Sequence, residues 1–163
     1  MKGCAFMKNF QISIIGKGFV TNVLADKYDL QEEDGYLHAI IIDADSEPDL
    51  PEELLIYLVS RKLSENETSL VRVSENAVEK LEYKATRKIA GNITPCIAFC
   101  ICKRSFDDVE VLIIPLNEIR SNAVTGGIFA ASGRGLFYDY SKCTEGKPVG
   151  ALFRAEFKRQ LDI

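Results

Sequence analysis

Two short triplets carry the side chains best suited to metal-assisted phosphodiester chemistry, Glu82-Tyr83-Lys84 and Glu156-Phe157-Lys158. In nucleases that work this way, an aspartate and a glutamate hold Mg²⁺ while a lysine two residues on steadies the attacked phosphate or the water. Asp139 precedes the second triplet and offers a third acid. Apolar spacing around both triplets predicts helix, where residues two apart face different directions, and this separates each glutamate from its lysine. A second oxygen-rich run, Asp43, Asp45, Glu47 and Asp49, places ligands at every second position. It lacks the glycine and the closing bidentate acid of a calcium loop, because Pro48 and Leu54 stand there, so it reads as an acidic solvated hairpin tip. Gly16-Lys17-Gly18 after an apolar run has the beginning of a dinucleotide-binding turn, but Thr21 stands where the third glycine belongs. His38 is the sole histidine, which leaves no Ser/His/Asp or Cys/His arrangement. No metal and no cofactor is expected.

The five cysteines, Cys4, Cys96, Cys100, Cys102 and Cys143, form no CxxC pair. An odd count without a secretory pattern after Lys2 and Lys8 points to reduced thiols in a cytoplasmic protein. Cys96, Cys100 and Cys102 share one parity on an apolar segment, so on a strand they face the same way and pack in the core. No apolar run approaches the roughly 20 residues of a membrane helix, and no membrane partner is expected.

With 163 residues of which 47% are hydrophobic, the chain can bury one substantial core. It is expected to form a single domain over residues 1–163, with 1–8 a disordered tail and the Gly/Ala/Ser-rich stretch 121–135 a mobile loop. The net charge of −4 is unevenly placed. Residues 1–83 carry 8 Lys+Arg against 16 Asp+Glu, and residues 84–163 carry 12 against 8. The second half suits an anionic partner, whereas phosphate would be repelled by the first.

Periodicity predicts a strand over Phe10–Ile15, broken at Gly16, then a short helix from Phe19 to Tyr28 and an acidic loop from Asp29 to Gly35. A buried strand follows over Tyr36–Asp43. Glu52–Leu63 suits either a helix begun by Pro51 or a central strand, the strand being preferred. Ser69–Val73 alternates like an edge strand. Ser74 is an N-cap for a helix whose inward stripe is Ala77, Val78, Leu81, Ala85 and Ile89, with Gly91 as its stop. Pro95–Cys102 and Val109–Ile114 make a strand pair across a charged turn. Pro115 ends the second, and Leu116–Arg120 makes a helical turn. Leu136–Tyr140 is a short strand, and Val149–Leu161 a closing amphipathic helix with Ala151, Leu152, Ala155 and Leu161 inward.

The segment Val71-Arg72-Val73-Ser74, Val78-Glu79-Lys80-Leu81, Thr94-Pro95-Cys96-Ile97-Ala98-Phe99 and Ile114-Pro115-Leu116 resembles the second half of the archaeal Holliday junction resolvases. These belong to the restriction-endonuclease-like PD-(D/E)xK folds. The resemblance spans about 100 residues and implies an α/β fold (α+β being the other option) with a mixed central β-sheet flanked by helices. It places the family's aspartate near His38 or Ala39, and its Glu-x-Lys near Tyr57-Leu58-Val59. None of these can bind Mg²⁺ or stabilise phosphate, so the resemblance implies a catalytically degenerate member. Three functions follow as expectations. The first is a nuclease-like binding module for nucleic acid or for a protein, its phosphate-facing set being Arg61, Lys62, Lys84, Arg87 and Lys88. The second is a regulator or inhibitor that covers a protein partner with its acidic N-terminal half. The third is an active nuclease with a migrated acid set, Asp43, Asp45 or Asp139 with Glu156 and Lys158.

Overall fold

The structure, a computed structural model, describes residues 9–62, 70–86, 93–102, 108–129, 133–139 and 150–158. Their order is α1 (Asn9–Leu24), β1 (Tyr28–Glu33), β2 (Tyr36–Ile41), β3 (Glu53–Lys62), β4 (Leu70–Ser74), α2 (Glu75–Thr86), β5 (Ile93–Cys102), β6 (Asp108–Pro115), α3 (Leu116–Asn122), β7 (Val124–Phe129), β8 (Gly133–Asp139) and β9 (Phe153–Lys158). The fold is mixed α/β. A six-stranded sheet runs β1-β2-β3-β5-β6-β9, and a three-stranded antiparallel sheet runs β4-β8-β7. In the larger sheet only β3 and β5 are parallel, in register from Glu53↔Ile93 to Lys62↔Cys102. The chain between them passes through β4 and α2, as a parallel pair demands a crossover.

Each face of the large sheet has its own core. On one side, Val20 and Leu24 of α1 pack on Leu54, Ile56, Cys96, Ala98, Cys100, Val111 and Ile113. On the other, Val78 and Leu81 of α2 and Leu116 and Ile119 of α3 pack on Leu55, Ile97, Phe99, Ile101, Leu112 and Ile114. Both faces of β3 and β5 are therefore covered, which explains the near-continuous apolar runs Leu54–Val59 and Cys96–Cys102. The choice between helix and strand for 52–63 resolves as strand for this reason. Tyr28 on β1 and Phe153 on β9 meet edge-on at 6.2 Å between ring centroids, although their strands end the sheet on opposite sides. The sheet thus curls around α1.

Four expected segments change type. Phe10–Ile15 and Gly16–Gly18 do not form a strand and a break, but lie within α1. Gly16, Val20 and Leu24 recur at helical spacing, and Gly16 sits where α1 comes closest to the sheet: a Cβ there would stand 2.3 Å from Ser60 Oγ and 3.3 Å from Cys100 Cβ. Glycine here is a packing choice, matched by the small residues Ser60 and Cys100 beneath it, and not a phosphate-binding turn. The closing helix expected over Val149–Leu161 is strand β9 over its described part. Phe153, Ala155 and Phe157 alternate with Arg154 and Glu156, and Phe157 packs against Phe19 at 5.0 Å. Period two, not 3.6, governs this segment. The stretch read as an acidic loop, Asp29–Gly35, is most of β1 and the hairpin turn that follows. Within 121–135, Val124–Phe129 forms β7.

The helix expected over Phe19–Tyr28 ends at Leu24, with Tyr28 opening β1. The strand expected to be buried over Tyr36–Asp43 is β2, with Ile40 and the following Ile42 exposed, because the buried side chains of that strand, Leu37 and Ala39, belong to its α1-side face. The other described elements follow expectation. Ser74 Oγ accepts a hydrogen bond from Ala77 N at 3.1 Å and caps α2. β4 is an edge strand of the small sheet, and β5 and β6 pair from Cys96↔Pro115 to Cys102↔Val109. Cys96, Cys100 and Cys102 face α1, buried and reduced. Ile89, Gly91, the charged turn at 103–107 and the tail expected over 1–8 lie outside the described residues. No described helix is long and apolar enough to cross a membrane.

Candidate functional site

The face of the large sheet under α2 is roofed over β5, β6 and β3 from Leu55 onward, but over β1, β2 and Glu53 its side chains are only partly covered. That partly covered face carries a cluster of polar and aromatic side chains. The two-residue turn Asp34-Gly35 builds it. Both residues have positive φ, 52° and 85°, the geometry of a tight hairpin between right-twisted strands. This fixes the register Glu33↔Tyr36 and Gln31↔His38, while β2 meets β3 with His38↔Leu55. Side chains two apart then share a face, and Glu33, His38 and Glu53 converge. His38 Nε2 lies 2.9 Å from Glu53 Oε2, and Nδ1 lies 3.7 Å from Glu33 Oε2. The imidazole is only 12% exposed and bridges carboxylates from the strands on either side of its own.

One step along the same face, the Tyr36 and Tyr57 rings meet at 6.0 Å. Lys84 Nζ, reaching down from α2, stands 5.2 Å from the Tyr36 centroid and 2.6 Å from Asp34 Oδ2. The ammonium is therefore both paired and seated over a π-face.

The positions that the resemblance assigns to a metal site sit in this region and hold none of its chemistry. His38 is held between Glu33 and Glu53, Ala39 and Leu58 pack on the α1 side, Tyr57 meets the Tyr36 ring at a tilt of 48°, and Val59 packs into the α2-side core. Among the described residues no group of three His, Cys, Asp or Glu side chains could hold a metal ion.

The expected cationic set is not brought together. Arg61, exposed on β3, donates from Nη2 to the Arg72 carbonyl at 3.0 Å. Lys84 is committed to Asp34. Lys62 ends β3 with its side chain outside the described residues, as are Arg87 and Lys88 entirely. The acid sets disperse as well. Glu82 turns to Arg120 of α3 while Lys84 turns to the hairpin. Glu156 lies on a strand rather than a helix, directly across from Glu110, which is 1% exposed and accepts from Arg154 Nε at 2.8 Å. Asp139 ends β8 in the other sheet. Asp43 accepts from Ser46 Oγ at 2.6 Å, a bond that holds its carboxyl below the ordinary carboxylate range, and Glu47 pairs with Lys27 at 2.9 Å.

Sequence reasoning missed Glu33, Asp34, Tyr36 and Glu53. The signal was present in Asp34-Gly35, a dipeptide that fixes a hairpin and through it the register that gathers them. No protein-family model matches the chain, and neither does any curated protein or solved structure.

Proposed function

We propose that this chain is a catalytically silent domain of the restriction-endonuclease-like type that acts by binding a basic protein partner through its acidic N-terminal edge. The order of α1, the β1–β2 hairpin, β3, α2 and β5 supports the resemblance to that fold, and the groups at His38, Ala39, Tyr57, Leu58 and Val59 speak against catalysis in it. The observation that carries the reading is charge. Residues 26–53, which form β1, β2 and the connection to β3, hold eleven carboxylates against Lys27 alone, a balance of −10. Eight of those acids are exposed. A surface of one sign with so few cations steers an oppositely charged protein and repels a phosphate backbone. Lys84 and Arg61, the described members of the expected phosphate-facing set, are held by Asp34 and by a main-chain carbonyl.

The test is recovery of a stoichiometric complex from nuclease-treated extract by the full chain, compared with a variant carrying Asp29→Lys, Asp45→Lys and Asp49→Lys. The expected complex survives nuclease, weakens as salt rises, and is lost in the variant. Retention of labelled DNA or RNA at low ionic strength, with no such complex, replaces this reading with the nucleic-acid one.

A further inference from the structure

β3 outruns its neighbour. Its pairing with β2 ends at Leu37↔Ile56, whereas its pairing with β5 continues to Lys62↔Cys102. Among the described residues no strand lies along the other edge of β3 beyond Tyr57, so the main chain from Leu58 to Arg61 forms an open notch beside the Asp34-Gly35 turn. On the α1 side a groove of about 230 Å³ opens onto this notch. Leu37, Ile56 and Leu58 floor it, Ile14 of α1 walls it, and the Lys17–Glu32 ion pair lies at its lip. On the opposite face the same stretch of β3 presents Arg61, exposed. Lys17 is matched by Glu32 and Lys84 by Asp34, whereas Arg61 donates to the Arg72 main-chain carbonyl, a partner that leaves its positive charge uncompensated and sets the sign of the notch.

We propose that the notch is a strand-addition site for an extended segment of a protein partner in which apolar and acidic residues alternate. A strand entering beside Leu58–Arg61 completes the main-chain ladder that β2 leaves off. Its pleat sends successive side chains to opposite faces. One set falls over Leu58 into the apolar groove, and the other lies beside the Arg61 guanidinium. Ladder hydrogen bonds supply affinity, while groove and charge supply selection. This site is distinct from the acidic edge and does not depend on it, since it calls for the opposite sign of charge.

The probe is a fluorescein-labelled, capped peptide of alternating leucine and glutamate, with a leucine–lysine peptide as control. Anisotropy against the full chain at low ionic strength is read alongside amide shifts of the isotope-labelled protein. The glutamate peptide is expected to bind, with its largest shifts from Tyr36 and along Leu58–Lys62, and Leu58→Arg is expected to weaken it at least tenfold. Arg61→Glu, at an exposed position, is expected to weaken the glutamate peptide and favour the lysine one. No binding at millimolar peptide, shifts centred on β1 or α2, or affinity unchanged by Arg61→Glu overturns the proposal.

Discussion

The β5–β6 pair and the β1–β2 hairpin are both antiparallel ladders of one sheet, yet they are made of different material. From Cys96 to Cys102 and from Val109 to Ile114 every residue is buried, and the one polar side chain among them other than the cysteines, Glu110, is held by Arg154. In β2 burial alternates and Ile40 is 42% exposed, and in β1 Asp29, Gln31 and Glu32 are exposed. A strand with helices or a second sheet on both faces has no room for groups that meet a partner. A strand at the end of the sheet has that room and gives up packing for it. Capacity for recognition in this molecule is therefore set by place in the sheet order, and the polar cluster, the acidic edge and the notch all fall at the β1–β2–β3 end.

The largest expected effect comes from truncating the two regions in parallel. Phe99→Ala removes a fully buried ring beneath α2 and leaves a cavity, with a cost of about 3–5 kcal/mol. Ile40→Ala on the hairpin is expected to cost no more than about 0.5 kcal/mol, the usual range for a surface change. Urea unfolding of each variant reads both numbers. Equal costs would break the contrast and make the hairpin part of the cooperative core.

Alkaline pH sharpens the same contrast without mutation. Burial pushes the Cys96 thiol above its ordinary 9.0, and the Cys100 thiol is pushed up by its hydrogen bond with Cys102 and by burial. Burial also raises the Tyr28 phenol, assisted by Cys96 and Glu47. Folded pKa values above the unfolded ones mean that the native state keeps protons the unfolded chain releases. Stability is then fully present below about pH 9 and falls as pH rises, by roughly 1.4 kcal/mol per pH unit for each such group. Urea midpoints at pH 8, 9 and 10 should fall in that order, less steeply in Cys96→Ala. In the native protein at pH 8 these three thiols should not react with a thiol reagent, and should do so on unfolding. Rapid native labelling of Cys96 would contradict the sealed α1 side.

The sequence shows the covered region far better than the open one. The runs of β5 and β6, the Ser74 cap, the Leu54–Val59 strand and the shared parity of Cys96, Cys100 and Cys102 are all legible, because burial on both faces leaves a dense apolar signal. Helix α1 is not legible from Phe10–Ile15, where six residues of alternation imitate a strand and Gly16 imitates a break. What decides it is Ser60 and Cys100 beneath Gly16, more than forty residues away. β9 is misread in the opposite sense, since Ala151, Leu152, Ala155 and Leu161 also fit a helical stripe, while its alternation is enforced only by pairing with β6. At the candidate site His38 is visible as the only histidine, but its partners Glu33 and Glu53 come from separate strands and depend on register. That register is written in Asp34-Gly35, not in the acids themselves.

The smallest expected effect tests how the hairpin is held. Lys84 links α2 to the turn through Asp34 and to β2 through Tyr36. An exposed ion pair contributes about 0.2–1 kcal/mol and a cation over a ring about 0.5–1 kcal/mol, so Lys84→Met, which keeps the stem, should cost about 1 kcal/mol. Much of that cost should vanish in 1 M salt, where the screening length is about 3 Å. Amide exchange discriminates the local from the global role. Protection should fall in Tyr28–Ile41 while β5 and β6 stay unchanged, because the central pair draws nothing from Lys84. A uniform loss of protection across the sheet would mean that the acidic end and the sealed centre unfold as one unit, and the division between a region that stabilises and the region proposed to bind would not hold.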